Sequence, residues 1–472
     1  MKTLHLTNAW HETSGGIATF YRALIAAANR KGHDIRLVVP APADRVEEVG
    51  EFGRIYHVLA PKAFLNSEYR AIFPSQFLSP GSKLQKILAF ESPDLIEISD
   101  KYTLNYLGAL LRMQLVQTLN YRPLVVGLSQ ERMDDNVRAY FGSIPFSQKF
   151  CSIYMKWFYF PFFDHHIANS EYTAAELRAA ARGQLVPRKT WIRSMGVDLA
   201  HFSPQRRRPE LRRRLLQNLG VAEDAALLLY AGRLAPEKNL QLLFDLMARL
   251  ACHGQREYRL LVVGDGVDRE FWERRCDHDL RGRVQFFGHI ADKNVLADIY
   301  ASSDVFVHPN PREPFGIAPL EAMASGIPLV APNSGGVVSY ANPRNAWTVH
   351  ADVESFADAV REAVTNRTAA AEKTQRALAT ANQYRWETVT QSFLELYEQL
   401  LRLRADVGQL SGPTSSSAFS STFSSTPATG FHAALMRGVA ATAIAMFRMC
   451  SKIASRSHSR RPRLTADPAV RS

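Results

Sequence analysis

NPREPFGIAPLEAMASGIPLVAP, residues 310–332, carries the strongest structural signal in this sequence. It follows DVFVHP (304–309), an apolar run typical of a buried strand, and it continues as an apolar helix that ends before Gly326. A second strand-like run, IPLVAP (327–332), comes directly after that glycine. Strand, helix and strand in this order form the βαβ unit of a parallel sheet, so the stretch predicts an α/β domain.

The same alternation of strands and helices occurs twice along the chain, before and after an Arg-rich segment at 206–214. The first part contains apolar runs such as KTLHLT (2–7) and LVVGLS (124–129), each followed by a helix-length segment. The alternation of strands and helices resumes with ALLLYAG (226–232) and YRLLVVGDG (258–266). We therefore predict the fold class α/β, with two doubly wound domains.

The domain boundary is predicted between the two series of strands, which gives a first domain over residues 1–200 and a second over 201–385. Apolar residues at helical spacing over 386–404 predict a closing helix that packs back on the first domain. Residues 405–472 begin with a Ser/Thr-rich stretch that has too few large apolar residues for a core, so we expect a disordered linker and a basic tail. Two interpretations of the tail stay open: an amphipathic helix on an anionic membrane, or a disordered segment.

The composition is that of a globular protein. With 46% hydrophobic and 22% charged residues the chain has ample material for a core, which excludes global disorder and a collagen-like structure. Lys and Arg number 57 against 45 Asp and Glu, but residues 405–472 contain eight basic and two acidic residues, and therefore half of the net charge of +12. A nucleic-acid partner is not expected, because the chain contains no recognised binding motif.

The four cysteines, Cys151, Cys252, Cys276 and Cys450, are far apart and form no CxxC pair, as expected for reduced thiols in the cytoplasm. No Cys/His run has the spacing of metal ligands, so no metal site is expected. The N-terminal residues lack an apolar signal segment, and no run reaches the roughly 18 apolar residues that cross a bilayer. We expect a cytoplasmic protein whose membrane contact, if it has one, is peripheral and on the inner face.

Two carboxylates, Glu313 and Glu321, flank a glycine in the stretch 310–332. Glu313 follows a strand in a loop at its carboxyl end, while Gly316 places free backbone N–H groups at a helix N-terminus, a position that binds phosphate. Glu321 lies about one turn into the helix, where a carboxylate can accept hydrogen bonds from both hydroxyls of a ribose. This combination predicts a site for a nucleotide sugar.

Two further loops at strand ends suit a diphosphate. Arg233 and Lys238 follow the strand ALLLYAG, and a guanidinium fork together with an ammonium group matches two phosphates. Gly15 and Gly16 occupy the first strand-to-helix junction, where the lack of a Cβ lets the backbone approach a ligand. An ordinary turn is the alternative interpretation of this glycine pair.

Taken in order, the glycine pair, ANS (168–170), GVDLAHFSP (196–204), the basic loop and the E-x7-E pair resemble the retaining GT-B glycosyltransferases of family 4. The likeness covers about residues 1–400. It implies two Rossmann-like domains that face each other across a cleft, with the nucleotide sugar bound mainly by the second. PDLIEISDKYTLNYLG (93–108) is similar to bacterial mannosyl- and hexosyltransferases that act on lipid or glycan acceptors.

The resemblance also implies how the second domain holds the donor. Arg233 and Lys238 neutralise the departing diphosphate, Glu321 binds the ribose, and the base contacts His289 and Ile290. The two cations do the work that a metal ion does elsewhere, so no metal and no cofactor is implied. Stabilisation of the leaving group is then the largest contribution of the protein.

For the transferred sugar, the resemblance implies that Glu313 faces the hydroxyls and that Phe315, Gly316 and Ile317 lie along sugar and phosphate. The expected reaction moves a hexose, with mannose from GDP-mannose as the first choice, to a hydroxyl of a lipid or glycan acceptor. The alternatives are UDP-glucose or another UDP-sugar as donor, and a non-catalytic nucleotide-sugar-binding protein. An NAD-dependent oxidoreductase is disfavoured, because the first loop reads TSGGIAT and not GxGxxG.

One position departs from the family. Members often carry a His after the strand that here reads LVVGLS, near the reacting sugar, but this chain has Gln130 followed by Glu131. An amide forms hydrogen bonds with a sugar but does not act as an acid or base. Either Gln130 or Glu131 takes the place of the His, or the specificity or activity is unusual.

The aromatic run YMKWFYFPFF (154–163) has two interpretations. We favour the core of the first domain, and the alternative is a membrane-facing patch on the acceptor side.

Overall fold

The computed structural model contains two sheets, each built from strands with helices on both faces, joined by short connections and by a long helix at the end of the described chain. It describes residues 1–10, 15–63, 69–79, 81–116, 118–142, 147–182, 190–252 and 256–410.

The elements of the first part are, in chain order, β1 (Lys2–Thr7), α1 (Gly16–Lys31), β2 (Asp34–Ala41), β3 (Arg45–Val49), β4 (Gly53–Leu59), α2 (Lys83–Glu91), β5 (Leu95–Ser99), α3 (Asn105–Arg112), β6 (Leu124–Ser129), α4 (Met133–Phe141), α5 (Ser147–Tyr154), β7 (His165–Ala168), α6 (Glu171–Ala181) and β8 (Thr190–Ile192). The elements of the second part are α7 (Pro209–Asn218), β9 (Ala226–Ala231), α8 (Leu240–Cys252), β10 (Tyr258–Val263), α9 (Arg269–Asp279), β11 (Val284–Gly288), α10 (Lys293–Ser302), β12 (Val305–Val307), α11 (Ile317–Ala324), β13 (Leu329–Pro332), β14 (Trp347–Val349), α12 (Val353–Thr365), α13 (Arg367–Gln383) and α14 (Trp386–Leu410).

The first sheet has the strand order β3-β4-β2-β1-β5-β6-β7-β8. Its pairs are parallel except at the edge, where β3 runs antiparallel to β4. The central strands are buried along their length because helices cover both faces, which is why they read as continuous apolar runs in the sequence.

The second sheet has the order β11-β10-β9-β12-β13-β14, with all recorded pairs parallel. Successive strands are added from β9 toward one edge of the sheet, at β11, and then from β12 toward the other edge, at β14. The point between β9 and β12 where this order switches leaves a crevice beyond the carboxyl ends of the strands. The predicted fold class, with two doubly wound parallel sheets, is confirmed.

The last described helix, α14, returns to the first sheet and packs on α1. It ends at Leu410, six residues beyond the predicted closing helix. The hydroxyl of Tyr397 donates to Glu97 Oε2 at 2.5 Å, and His5 Nδ1 lies 2.9 Å from the other oxygen of that carboxylate. All three side chains are buried, so a polar network in the core joins the end of the described chain to its first strand.

Part of the aromatic run 154–163 lies in the core, and part of it is exposed. Tyr154, Tyr159 and Phe163 are buried in the core, whereas Trp157 is 60% exposed and Phe158 37% exposed. The favoured core interpretation is therefore correct for only part of the run. The predicted tail lies outside the described residues from position 411 onward, as does the choice between its two interpretations.

Candidate functional site

A cleft of about 3140 Å³ lies between the carboxyl ends of the two sheets. Its walls come from both halves of the chain, and the candidate residues all line it. They are Gly15, Gly16, Gln130, Arg233, Lys238, His289, Ile290, Glu313, Phe315, Gly316, Ile317 and Glu321. Residues up to 306 positions apart in the sequence, Gly15 and Glu321, are thus brought to one cavity, because both sheets present the carboxyl ends of their parallel strands to it.

Glu313 lies in the loop after β12 and is held by an ion pair. Lys238 Nζ donates to its two carboxylate oxygens at 3.0 and 2.9 Å, and Asn310 Nδ2 donates to Oε2 at 3.0 Å. Burial alone would raise the pKa of Glu313, but the charge of Lys238, with these hydrogen bonds, lowers the pKa to about 2. Glu313 is therefore a carboxylate at every physiological pH.

His308, the first residue after β12, lies beside the ion pair. Its Nε2 is 3.9 Å from Glu313 Oε2. Burial lowers the pKa of the imidazole to about 4, although the neighbouring carboxylate opposes this shift. The imidazole is consequently neutral near pH 7, and the local charges are those of Lys238 and Glu313.

Arg233 follows β9 and bridges the two walls of the cleft. Its Nη1 donates to the hydroxyl oxygen of Tyr69, in the first half of the chain, at 2.5 Å. Its Nη2 lies 3.0 Å from Glu237 Oε1. Both cations of the predicted basic loop thus project toward the same cavity, Lys238 toward Glu313 and Arg233 toward the opposite wall.

The helix α11 begins immediately after Gly316, which has φ +87°. A Cβ at this position would lie 3.0 Å from the hydroxyl oxygen of Tyr340 and 3.2 Å from Glu313 Cγ, so both the backbone conformation and the space favour glycine. The first residues of the helix, Ile317 and Ala318, line the cleft, so the helix N-terminus lies in its wall. This is the geometry of an anion site at a helix N-terminus.

Glu321 lies one turn further along α11. The hydroxyl of Tyr300 donates to its Oε2 at 3.0 Å. Burial raises the pKa of Glu321 to about 7, and the hydrogen bond from Tyr300 and the charge of Lys293 only partly offset this effect. This carboxyl therefore changes its protonation state near neutral pH, in contrast to Glu313.

Phe315 lines the cleft, but its side chain is buried. Its ring is 2% exposed and packs against the rings of Tyr340 and Tyr384, with centroids 5.2 and 6.0 Å away. The aromatic ring belongs to the core and anchors the loop, so it is mainly the backbone of Phe315 that is available to the cleft. The residue after Gly316, Ile317, instead extends toward the first half of the chain.

Gly16, the first residue of α1, meets Ile317 across the cleft. A Cβ at Gly16 would lie 3.0 Å from Ile317 Cδ1, whereas a Cβ at Gly15 would have nothing within 4 Å. The two glycines therefore differ: Gly16 permits a close approach of the two walls, and Gly15 leaves backbone exposed at the helix N-terminus.

Gln130 and Glu131, the residues at the departure from the family pattern, point to different surroundings. Both amide atoms of Gln130 are buried and, among the described residues, have no hydrogen-bond partner. The carboxylate of Glu131 accepts a hydrogen bond from Asn136 Nδ2 at 2.8 Å, and burial raises its pKa. Glu131 is thus engaged within the first domain, and Gln130 is the residue with unused hydrogen-bonding capacity in the cleft.

Lys101 and Glu176 hold the loop that carries Gln130, and the sequence analysis did not identify them. Lys101 Nζ donates to the carbonyl oxygen of Glu131 and to Glu176 Oε2, both at 2.5 Å. Glu176 Oε1 accepts from the backbone N–H of Met133 at 2.8 Å. Their sequence signal was weak, because a single Lys and a single Glu 75 positions apart resemble any surface pair.

A second glycine pair, Gly335 and Gly336, was also missed. The backbone N–H of Gly336 donates to the carbonyl oxygen of Glu313 at 2.6 Å, and a Cβ there would lie 1.9 Å from the carbonyl oxygen of Pro314. The pair packs against the backbone of the loop that carries Glu313. The sequence SGG at 334–336, shortly after a strand, was the available signal.

His289 and Ile290 follow β11 and line the same cavity. His289 is exposed, and Ile290 is half-buried against the core. Within the described part of the chain, no group of three or more His, Cys, Asp or Glu side chains is arranged to hold a metal ion. In the same residues, no helix is both long enough and apolar enough to span a bilayer.

Two family models match the chain. The model described as Glycosyltransferase Family 4 matches residues 14–201, and the model described as Glycosyl transferases group 1 matches residues 212–383. The chain belongs to glycosyltransferase family 4. It is accordingly a transferase, as the resemblance of its motifs implied.

Relatives of this family 4 glycosyltransferase include a GDP-mannose-dependent alpha-(1-6)-phosphatidylinositol dimannoside mannosyltransferase of Mycobacterium tuberculosis. The two are 27% identical over 372 residues, which is 77% of this chain and 88% of the relative. A GDP-mannose-dependent alpha-mannosyltransferase of Mycolicibacterium smegmatis is 33% identical over 213 residues, covering 44% of this chain and 52% of the relative.

Solved structures confirm the GT-B arrangement of this glycosyltransferase. Sucrose-phosphate synthase from Thermosynechococcus elongatus superposes with a TM-score of 0.68 at 21% identity, covering 85% of this chain and all of that structure. Anabaena HepE in complex with UDP-glucose superposes with a TM-score of 0.61 at 20% identity, covering 84% of this chain and all of that structure. At these identities the likeness concerns the fold.

Proposed function

We propose that this glycosyltransferase transfers mannose from GDP-mannose, with retention of configuration, to a hydroxyl of a lipid or glycan acceptor. The choice of donor is supported by relatives that are named GDP-mannose-dependent and match over 372, 213 and 188 residues. The choice of acceptor class is supported by the mycobacterial relative named for a phosphatidylinositol dimannoside.

The observation that carries the proposal is the ion pair between Lys238 and Glu313 beside the N-terminus of α11. It places a cation, a permanently ionised carboxylate and free helix amides in one corner of the cleft. A nucleotide sugar needs these three groups together: positive charge for the diphosphate, amide donors for its oxygens, and an acceptor for the sugar hydroxyls. Each comes from the loop or helix that follows a strand of the second sheet.

In the proposed reaction, the bond between the anomeric carbon of mannose and the β-phosphate oxygen of GDP breaks. Its electron pair leaves on the diphosphate, and the acceptor oxygen forms a bond to the same face of the anomeric carbon. The proton of the acceptor hydroxyl passes to the departing phosphate oxygen. Arg233 and Lys238 stabilise the negative charge that develops on the leaving group, which is the main catalytic contribution of the protein.

In this proposal the remaining residues bind and orient the nucleotide-sugar donor. Glu313 accepts hydrogen bonds from the mannose hydroxyls, Glu321 accepts them from the ribose, and Gln130 contacts the sugar from the opposite wall. His289 and Ile290 lie against the base. No metal ion takes part, because the two cations supply the positive charge that the leaving group requires.

A donor panel tests the proposal. The purified protein is incubated with GDP-mannose, GDP-glucose, UDP-glucose and ADP-glucose, and thermal shift and donor hydrolysis are measured for each. We expect GDP-mannose to give the largest rise in melting temperature and the fastest hydrolysis, because binding to the folded state alone stabilises it. A larger response to UDP-glucose would replace the proposed donor by a UDP-sugar. Binding without hydrolysis or transfer to any acceptor would favour a non-catalytic nucleotide-sugar-binding protein.

The acceptor is tested with the donor that the panel identifies. Radiolabelled mannose transferred to phosphatidylinositol mannosides in mixed micelles, and not to free oligosaccharides, would identify a lipid acceptor. Transfer to oligosaccharides alone would restrict the proposal to glycan acceptors.

A further inference from the structure

The outer face of α5 and of the π-helical turn that follows it, Met155–Tyr159, presents large apolar side chains to solvent. Ile153 is 46% exposed, Trp157 is 60% exposed, and Phe158 is 37% exposed. These three exposed apolar residues fall within six consecutive positions. Exposed apolar side chains that lie this close together in one segment favour a binding face, whereas single exposed side chains are ordinary.

The spacing of this face is helical. Lys149, Ile153 and Trp157 follow one another at intervals of four residues, which places them on one side of the helix. The opposite side, with Cys151, Tyr154 and Met155 among others, is buried in the core. The exposed residues are therefore outside the core because of the helix geometry, and the buried ones hold the segment firmly to the domain.

Hydrogen bonds fix the segment further. Asn105 Nδ2 donates to the carbonyl oxygen of Phe158 at 3.0 Å, and the hydroxyl of Tyr154 donates to the carbonyl oxygen of Lys101 at 2.9 Å. The apolar face is thus a preformed surface on a rigid element. Binding to it does not require the segment to become ordered, which lowers the entropic cost of association.

The charge of the segment has one sign. Between Asp135 and Asp164 the sequence contains no acidic residue, while it contains Arg138, Lys149 and Lys156. The ammonium group of Lys156 lies 5.6 Å from the ring of Trp157. Exposed Trp and Ile beside Lys, without acidic residues in the same stretch, match an anionic lipid surface, where the aromatic ring enters the interface and the Lys side chains contact headgroups.

The position of the face relative to the cleft fits a lipid acceptor. Helix α5 packs on α4, and α4 contributes Asn136, Arg138 and Tyr140 to the wall of the cleft. The helix that carries this face therefore packs directly on a helix that lines the site. An acceptor whose lipid chains stay in the bilayer would reach the cleft over the edge formed by α4.

We propose that Ile153, Trp157 and Phe158, with Lys149 and Lys156, form the surface by which this enzyme binds an anionic bilayer. This inference rests on the proposed function in one respect, the lipid acceptor. It concerns the aromatic run 154–163, for which the sequence left a membrane-facing patch open, and not the tail from residue 411 onward.

Vesicle cosedimentation tests the inference with the full chain. We compare vesicles of phosphatidylcholine alone with vesicles that also contain phosphatidylglycerol. We expect the protein to bind the anionic vesicles, and Trp157→Ala to weaken that binding about tenfold, the scale of removing one large apolar side chain from the interface. Phe90→Ala is the matched control, because Phe90 is 74% exposed on α2, and it should bind as the unchanged protein does.

A second measurement reports insertion directly. Brominated lipids quench tryptophan fluorescence on contact, so anionic vesicles that contain them should quench the protein. Trp157→Phe should keep vesicle binding but lose most of this quenching. Undiminished quenching in Trp157→Phe would overturn the proposed contact even if the variant still sediments.

The outcomes separate the inference from the proposed function. Equal vesicle binding by the unchanged protein and Trp157→Ala would assign membrane binding to another part of the chain and overturn the inference, whatever the donor panel shows. A change of oligomeric state in Trp157→Ala, seen by light scattering without vesicles, would identify the face as a contact between copies and overturn it as well. If no donor of the panel binds or reacts while vesicle binding still depends on Trp157, only the proposed function is overturned.

Discussion

The ammonium nitrogen of Lys238 lies 2.9 Å from one carboxylate oxygen of Glu313 and 3.0 Å from the other. The cation proposed for the diphosphate and the carboxylate proposed for the sugar therefore form one ion pair. This contact keeps Glu313 ionised despite its burial, so loss of the Lys238 ammonium group would raise the pKa of Glu313.

Lys238→Ala and Arg233→Ala should each lower kcat/KM at least about 100-fold. Each variant lacks a positive charge that stabilises the departing diphosphate, and we expect this stabilisation to be about 3 kcal/mol. Lys238→Ala should have the larger effect, since it also leaves the buried carboxylate of Glu313 without its counter-charge. Steady-state kinetics with the identified donor measures both. Arg274→Ala, a change at an exposed surface residue of α9, is the control. Near-normal activity in both site variants would refute the assignment of the leaving-group site.

Gln130→Ala should reduce kcat/KM by about 1–2 kcal/mol of transition-state stabilisation, the scale of a lost neutral hydrogen bond. Gln130→His should keep activity, because an imidazole offers a comparable hydrogen bond. Glu131→Gln should have a small effect, since Glu131 is bonded to Asn136. If Gln130→Ala is silent while Glu131→Gln abolishes transfer, the two residues exchange roles and our interpretation of the loop is wrong.

Lys101 is proposed as a positioning residue that acts through Gln130. The paired change Lys101→Met with Glu176→Gln removes both buried charges together and so avoids leaving one uncompensated. We expect kcat to fall while the KM for the donor changes little, and we expect adding Gln130→Ala to cost little more. A double-mutant cycle measures this non-additivity. Fully additive effects would show that the pair stabilises the fold without positioning Gln130.

Glu321 should make nucleotide binding depend on pH. Its pKa of about 7 means that the carboxyl is protonated below neutral pH, when it can accept fewer hydrogen bonds from a ribose. The affinity for GDP should therefore fall as pH decreases below 7, by up to about tenfold per pH unit. Titration calorimetry at several pH values measures this slope. Glu321→Gln should show a flatter profile, and parallel profiles for the two proteins would contradict the role of Glu321.

The same residue predicts a stability difference. The folded-state pKa of Glu321 is raised above the ordinary value of 4.5, so the folded protein binds the proton more tightly than the unfolded chain does. Its stabilising contribution is complete below about pH 4.5 and is lost as pH rises toward 7. The melting temperature of Glu321→Gln relative to the unchanged protein should therefore increase from pH 5 to pH 8. A decrease over this range would show that burial does not dominate the site.

Turnover should survive chelation of divalent ions, because Arg233 and Lys238 supply the positive charge at the leaving group. The measurement is donor turnover after dialysis against EDTA, with and without added Mg²⁺ or Mn²⁺. Strict dependence on either ion would contradict a leaving group stabilised by side chains alone.

The sequence by itself determined the two parallel sheets and the neighbourhood of the site. Alternating apolar strands and helices dictate βαβ units, and parallel strands bring their carboxyl ends to one edge. The position of Glu313, Gly316 and Glu321 relative to β12 and α11 followed from that rule, as did the loop of Arg233 and Lys238 after β9. These features depend on contacts close in sequence or on periodic patterns, which a single chain displays directly.

Only the tertiary structure decided which of these groups touch. The pairing of Lys238 with Glu313 and the contact of Gly16 with Ile317 join residues from different loops or different halves of the chain. The burial of the Phe315 ring and the exposure of Trp157 likewise depend on which helix packs against them. The composition and spacing of such residues are equally compatible with a core or a surface, because burial is set by the packing of distant elements and not by local sequence.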